Sequence, residues 1–142
     1  VFARADYILD DHVEILVLEG NAVTGHGNEG DNTIIGNDGD NVLMGHGGTD
    51  YMLGGEGDDI FVLTKLAGSD VDVIGDFEGA GEAGGDRIAF SAADFGTDGI
   101  VTQVSQTSFV VSRADGSNAQ QFIVSNLEVG NSGLTEDDYY FG

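Results

Sequence analysis

The sequence predicts an all-β protein: a parallel β-roll of short stacked coils, continued by an antiparallel, β-sandwich-like C-terminal cap. Three observations predict it. Residues 27–62 repeat with a period of nine. Each repeat places six turn-forming residues ahead of three strand-forming ones. Beyond residue 100, short β-rich runs alternate with turn clusters.

The four repeats are GNEGDNTII, GNDGDNVLM, GHGGTDYML and GGEGDDIFV. Position one is Gly27, Gly36, Gly45 and Gly54, and position four is Gly30, Gly39, Gly48 and Gly57. Glycine at two fixed places lets the chain reverse within each turn. Position six is Asn32, Asn41, Asp50 and Asp59. Only the middle residue of a three-residue strand points one way, so Ile34, Leu43, Met52 and Phe61 are expected to face inward. Two repeats then make one coil, and stacked coils make two parallel sheets with turns along two edges.

The flanks read differently. Residues 1–26 are expected to supply opening strands, 27–62 the roll, 63–99 a capping segment and 100–142 a C-terminal β region. In that last region Ile100 to Val104, Phe109 to Ser112 and Gln121 to Val124 suggest antiparallel hairpins. Seven of the eight outward positions in the repeat strands are apolar, Thr33 being the exception. One outer face is therefore expected to be covered by the opening segment, by the C-terminal strands, or by a second copy in a homodimer.

Composition excludes several partners. Twenty-six Asp and Glu against four Lys and Arg give a formal charge of −22, which repels nucleic acid and anionic lipid surfaces. The chain is 40% apolar in patterned runs, so it is expected to fold once that repulsion is offset. No cysteine is available for disulfides, thiolate ligands or nucleophiles. No apolar run is long enough to span a membrane, and the opening residues are not expected to form a basic-then-apolar leader. Beginning at Val1, it is expected to be a piece of a longer protein.

Stacked turns of this kind suit a hard cation. Rungs lie about 4.7–4.9 Å apart, and calcium binds oxygen at about 2.3–2.6 Å, so an ion between two turns fits the spacing. Magnesium, with its shorter bonds and octahedral demand, fits less well. The pairs eighteen residues apart are Asn32 with Asp50 and Asn41 with Asp59, joined by carbonyls near the glycines. Each pair holds one neutral Asn, which predicts weaker sites than Asp-only pairs. The block is expected to be disordered without calcium and to fold around at least two ions.

Gly54 to Val62 fits GGxGxDxUx position for position, U being a large apolar residue. On those residues the chain resembles the repeats-in-toxin (RTX, hemolysin-type) family, whose nonapeptides form calcium β-rolls. The resemblance makes Asn28, Asn37, His46 and Gly55 at position two calcium-site residues beside positions one, four and six. Upstream, VEILVLEGNAVTGHGN looks like the irregular strand that precedes such blocks. Downstream, DVIGDF and GDRIAFS are similar to the capping segment of serralysin-type proteases and alginate epimerase modules, implying that Asp72 and Asp86 complete the last calcium sites. LTEDDYYFG resembles the terminus of proteins exported by type I secretion. Position two is Gly only once, and position six is Asn twice, which departs from the family pattern.

Rival readings are weaker. Gly25, Gly27 and Gly30 spell a dinucleotide-loop pattern, but no helical segment follows. Asp38 to Asn41 lacks the glycine and glutamate an EF-hand requires. His12, His26 and His46 are scattered and are expected to be solvent-exposed turn residues. HExxH and GxSxG are both missing, and Asp58–Asp59 is read as calcium chemistry or a solvated face, not an acid–base pair. By resemblance, the chain is a bacterial, extracellular, non-catalytic calcium-binding module with a secretion signal at Leu134 to Gly142. The alternatives are a polysaccharide-binding or adhesion module, with Arg87 and Arg113 as the basic contacts, or the non-catalytic domain of a secreted protease, lipase or epimerase.

Overall fold

A computed structural model describes residues 1–65, 70–78, 85–127 and 133–142. Parts of the expected capping segment, 66–69 and 79–84, and of the C-terminal region, 128–132, lie outside the described residues. Short strands alternate between two sheets. The opening residues supply β1 (Phe2–Ala3), β2 (Tyr7–Ile8), β3 (Ile15–Leu18) and β4 (Thr24–His26). The repeats supply β5 (Thr33–Ile35), β6 (Val42–Met44), β7 (Tyr51–Leu53) and β8 (Ile60–Leu63). After them come β9 (Asp72–Ile74), β10 (Arg87–Phe90), the one-turn helix α1 (Ala92–Phe95), β11 (Ile100–Gln103), β12 (Ser108–Ser112), β13 (Gln120–Val124) and β14 (Tyr139–Phe141).

One sheet runs β1-β3-β5-β7-β9-β13-β12-β11 and the other β14-β10-β8-β6-β4-β2. In the repeats, odd and even strands pair in parallel within their own sheets, Thr33 opposite Tyr51 and Val42 opposite Ile60. The inward prediction holds: Ile34, Leu43, Met52 and Phe61 are each 0% exposed. Full burial of such a side chain is worth about 1.5–3 kcal/mol, so each coil adds two contributions of that size to the core.

The coil starts before the glycines do. Tyr7 pairs with Gly25, Ile15 with Thr33 and Thr24 with Val42, all in parallel and in the register of the repeats. Leu16 fills the inward place of its strand. In β4 that place belongs to Gly25, where an added Cβ would stand 3.3 Å from Leu16, Leu18 and Leu43. Those three leucines fill the space a larger residue would need.

Past the repeats, Tyr51 pairs with Val73 and Ile60 with Arg87, so longer connections intervene while the stack continues. The expected hairpins are present as the antiparallel β11–β12 and β12–β13 pairs. They are an extension of the roll, because β13 also pairs in parallel with β9. β14 likewise joins β10 in parallel. Phe90 anchors this end, with ring centroids 6.1 Å from Phe95, 5.4 Å from Phe122 and 5.2 Å from Phe141.

The opening and C-terminal strands thus lengthen the sheets edge to edge, where one of them was expected to lie across an outer face. Leu53, Ile60 and Val62 are half-buried and Tyr51 is exposed. Strand pairing satisfies a row of backbone donors and acceptors that face-packing would leave open. The ring of Tyr51 instead lies over Gly75, whose missing Cβ makes room for it.

Candidate metal centre

Along each edge the turns stack so that a side chain of one coil reaches the backbone of the coil before it. On the first edge, Asn32 N–H donates to Asp50 Oδ1 at 2.8 Å, and Asp50 N–H donates to Asp72 Oδ1 at 3.1 Å. On the second, Asn41 N–H donates to Asp59 Oδ1 at 2.8 Å, and Asp59 N–H donates to Asp86 Oδ1 at 2.9 Å. Asp86 Oδ2 accepts a further N–H from Glu78 at 2.8 Å. All six position-six and capping residues are buried.

Two of these carboxylates are incomplete. Asp50 Oδ2 and Asp59 Oδ2 are buried and have no hydrogen-bond partner. An anionic oxygen withdrawn from water without a donor is costly, and burial accordingly lifts the Asp50 carboxyl to about 7 and that of Asp59 to about 6. Burial likewise raises Asp72 to about 6 and Asp86 to about 7. Neighbouring carboxylates push in the same direction, Asp72 and Asp31 on Asp50, and Asp76 and Asp40 on Asp59.

The position-one glycines form the other wall. A Cβ on Gly45 would collide with Asp50 Oδ2, and one on Gly54 with Asp59 Oδ2. A Cβ on Gly27 or Gly36 would strike the carbonyl oxygen of Gly45 or Gly54, respectively. Oxygen atoms therefore crowd the space that a side chain would fill. Among the described residues no three His, Asp or Glu side chains cluster as a ready-made ligand set. An ion here would draw on one or two carboxylates and on backbone carbonyls, a hard-oxygen donor set that fits calcium.

Residues 26–61 match the family model of the RTX calcium-binding nonapeptide repeat, in four copies. These residues are RTX calcium-binding repeats. No curated protein and no solved structure matches the chain. The match supports calcium as the ion of this RTX block.

The structure places the predicted residues in two groups. Gly45, His46, Gly48, Asp50, Gly54, Gly55, Gly57 and Asp59 form turns whose second and fourth residues have positive φ, from 77° at His46 to 114° at Gly57. Position four must be glycine there, since a Cβ on Gly48 would also lie 2.7 Å from the backbone of Gly30. Gly27, Asn28, Gly30, Asn32, Gly36, Asn37, Gly39 and Asn41 form turns of a second kind, held by side-chain amides. Asp72 and Asp86 stand one rung beyond Asp50 and Asp59.

Three RTX-edge residues escaped the sequence reading. Asp76 binds the start of the last turn, accepting Gly54 N–H at 2.8 Å and Gly55 N–H at 3.0 Å. Position five also bridges coils, Asp31 accepting from Thr49 at 2.8 Å and Asp40 from Asp58 at 3.0 Å. Asp31 and Asp40 had as their signal the eighteen-residue spacing shared with position six, whereas Asp76 lies outside that spacing. His12 is an exposed turn residue as expected, but the other two histidines need correction. His26 lies on β4, half-buried, and its Nδ1 is 3.0 Å from His46 Nε2, so parallel stacking brings together two residues that looked scattered.

Proposed function

We propose that the chain is the calcium-responsive module of an exported bacterial protein, folding when it passes from a low-calcium cytosol to a calcium-rich exterior. The orphaned buried oxygens of Asp50 and Asp59 carry this reading. Without a cation they oppose the stacked turns; with one they become ligands, so binding free energy is folding free energy. Carbonyl-rich sites suit the range of roughly 10⁻⁴ to 10⁻³ M found in extracellular modules. No step of catalysis is assigned to this chain, and any activity would belong to a region upstream.

In this reading the C-terminal segment, Leu134 to Gly142, is recognised by a type I exporter before folding. Folding afterwards draws it into β14, where Tyr139, Tyr140 and Phe141 pair with Ile88, Ala89 and Phe90. Both arginines proposed for glycan contact have intramolecular engagements. Arg87 lies 4.8 Å from the Tyr140 ring centroid, and Arg113 donates to the carbonyls of Asp94 and Ala93. The calcium reading is therefore preferred to the polysaccharide one.

The test is a circular dichroism titration of the chain with Ca²⁺ and with Mg²⁺ after chelation. Strand signal is expected to appear with calcium at submillimolar to millimolar concentration. A spectrum indifferent to calcium and chelator overturns the reading. For export, deletion of residues 134–142 should abolish secretion by cells carrying a type I system while leaving synthesis unchanged.

A further inference from the structure

The four RTX repeats share a register and yet make two kinds of turn. In turns 45–50 and 54–59 the second and fourth residues, His46, Gly48, Gly55 and Gly57, have positive φ; no residue of turns 27–32 and 36–41 does. The earlier turns are tied by asparagine. Asn32 Oδ1 accepts Asn28 N–H at 2.7 Å, while Asn32 Nδ2 donates to Val13 O at 3.2 Å and to Asn28 Oδ1 at 3.1 Å. Asn28 Nδ2 donates to Asp10 O at 2.8 Å and Val13 O at 2.9 Å, and Asn28 Oδ1 accepts Gly30 N–H at 2.9 Å. The second edge repeats the arrangement: Asn41 Nδ2 donates to Ala22 O and Asn37 Oδ1, both at 3.2 Å, and Asn37 Nδ2 donates to Ala22 O at 2.8 Å.

We infer that the amides of Asn28 with Asn32 and of Asn37 with Asn41 close the first rung of each edge without metal, and that calcium uptake begins only at the rungs of Asp50 and Asp59. This rests on the calcium reading above and revises the ligand set that the spacing suggested. The carbonyls of Val13 and Ala22, in the coil before that rung, receive NH₂ donors, which supply the positive charge density a cation would bring. The amide orientation is fixed by its partners, because a flipped Asn32 would set oxygen against Val13 O and NH₂ against Asn28 N–H. The contrast one rung on is direct: the equivalent carboxylates have an oxygen that nothing satisfies. Asparagine at position six is thus a neutral terminator of the metal stack. It also keeps one further negative charge out of each crowded edge.

Ion counting tests the inference. Calcium bound per chain is measured by equilibrium dialysis on the wild type and on Asn32→Ala, Asn41→Ala, Asp50→Asn and Asp59→Asn, with folding at saturating calcium checked by circular dichroism. Both Asn→Ala variants should hold the wild-type number of ions, and each Asp→Asn variant should lose at least one. Loss of an ion from a folded Asn→Ala variant overturns the inference and leaves the calcium reading intact. A wild type that binds no calcium overturns both. If an Asn→Ala variant does not fold, the calcium-loaded wild type decides by NMR. Slowly exchanging side-chain NH₂ protons on Asn32 and Asn41 are expected, and free exchange with solvent overturns the closure.

Discussion

Asp50 and Asn32 are joined across one coil by an asymmetric contact: Oδ1 of Asp50 accepts the Asn32 backbone N–H at 2.8 Å, while Oδ2 of the same carboxylate is buried with no partner. One oxygen holds the stack, and the other is left without a donor. The same division of labour recurs at Asp59 over Asn41.

Replacing Asp50 by Asn should have opposite effects in the two conditions. In chelator it removes an unpaired buried charge and should stabilise the fold by on the order of 1–3 kcal/mol. In calcium it removes a ligand, so the stabilisation gained on adding calcium should shrink. Strand signal by circular dichroism in chelator and urea midpoints in calcium check the two signs, and a variant that matches the wild type in both conditions would refute the assignment.

Acidity should imitate the metal in part. Burial raises Asp50 and Asp86 to about 7 and Asp59 and Asp72 to about 6, above the ordinary value of 3.8. The metal-free fold therefore binds protons that the unfolded chain releases. That contribution is complete below about pH 4 and is lost as pH rises through about 6 to 7. In chelator, strand signal should grow as pH falls from about 7.5 to 5.5, and apparent calcium affinity should weaken over the same window because protons compete for the oxygens.

Gly48→Ala should separate turn geometry from charge. The residue has φ of +87°, and its Cβ would press on the backbone of Gly30 and Asp31. A loss exceeding about 1 kcal/mol is expected in saturating calcium. Gly20→Ala provides the control, since its φ of +63° is also left-handed but no atom stands within 4 Å. A midpoint change in Gly48→Ala no greater than in the control would remove the stacking argument.

Leu16→Ala reports on the coil that precedes the glycines. Leu16 is 0% exposed and occupies the inward column shared with Ile34 and Met52. A loss of about 2–5 kcal/mol is expected, comparable with Met52→Ala. A value near zero in calcium-loaded protein would show that the opening strands are not part of the cooperative unit.

The repeats were legible because their information is local. Two glycines, a position-six Asn or Asp and one large apolar residue in nine define turn, edge and interior, and Ile34, Leu43, Met52 and Phe61 lie inside as that pattern requires. The opening coils were less legible. Their strands keep the register, but their turns lack the glycines, and Gly25 interrupts the apolar column. Asp76 was passed over for a similar reason, since its partners Gly54 and Gly55 are more than twenty residues away.

The sequence by itself determined the period, the parallel roll, the carboxylate-bearing edges and the excess negative charge that calls for a cation. Tertiary structure decided which turns need that cation. Position six accepts an N–H from its own turn where it is Asn, and from the coil before it where it is Asp. Whether it also finds a carbonyl to donate to depends on Val13 and Ala22, backbone atoms of coils with no repeat signature. Hydrogen-bond satisfaction is a property of neighbours in space, so the nine-letter pattern fixes where oxygen gathers but leaves open where it is already satisfied.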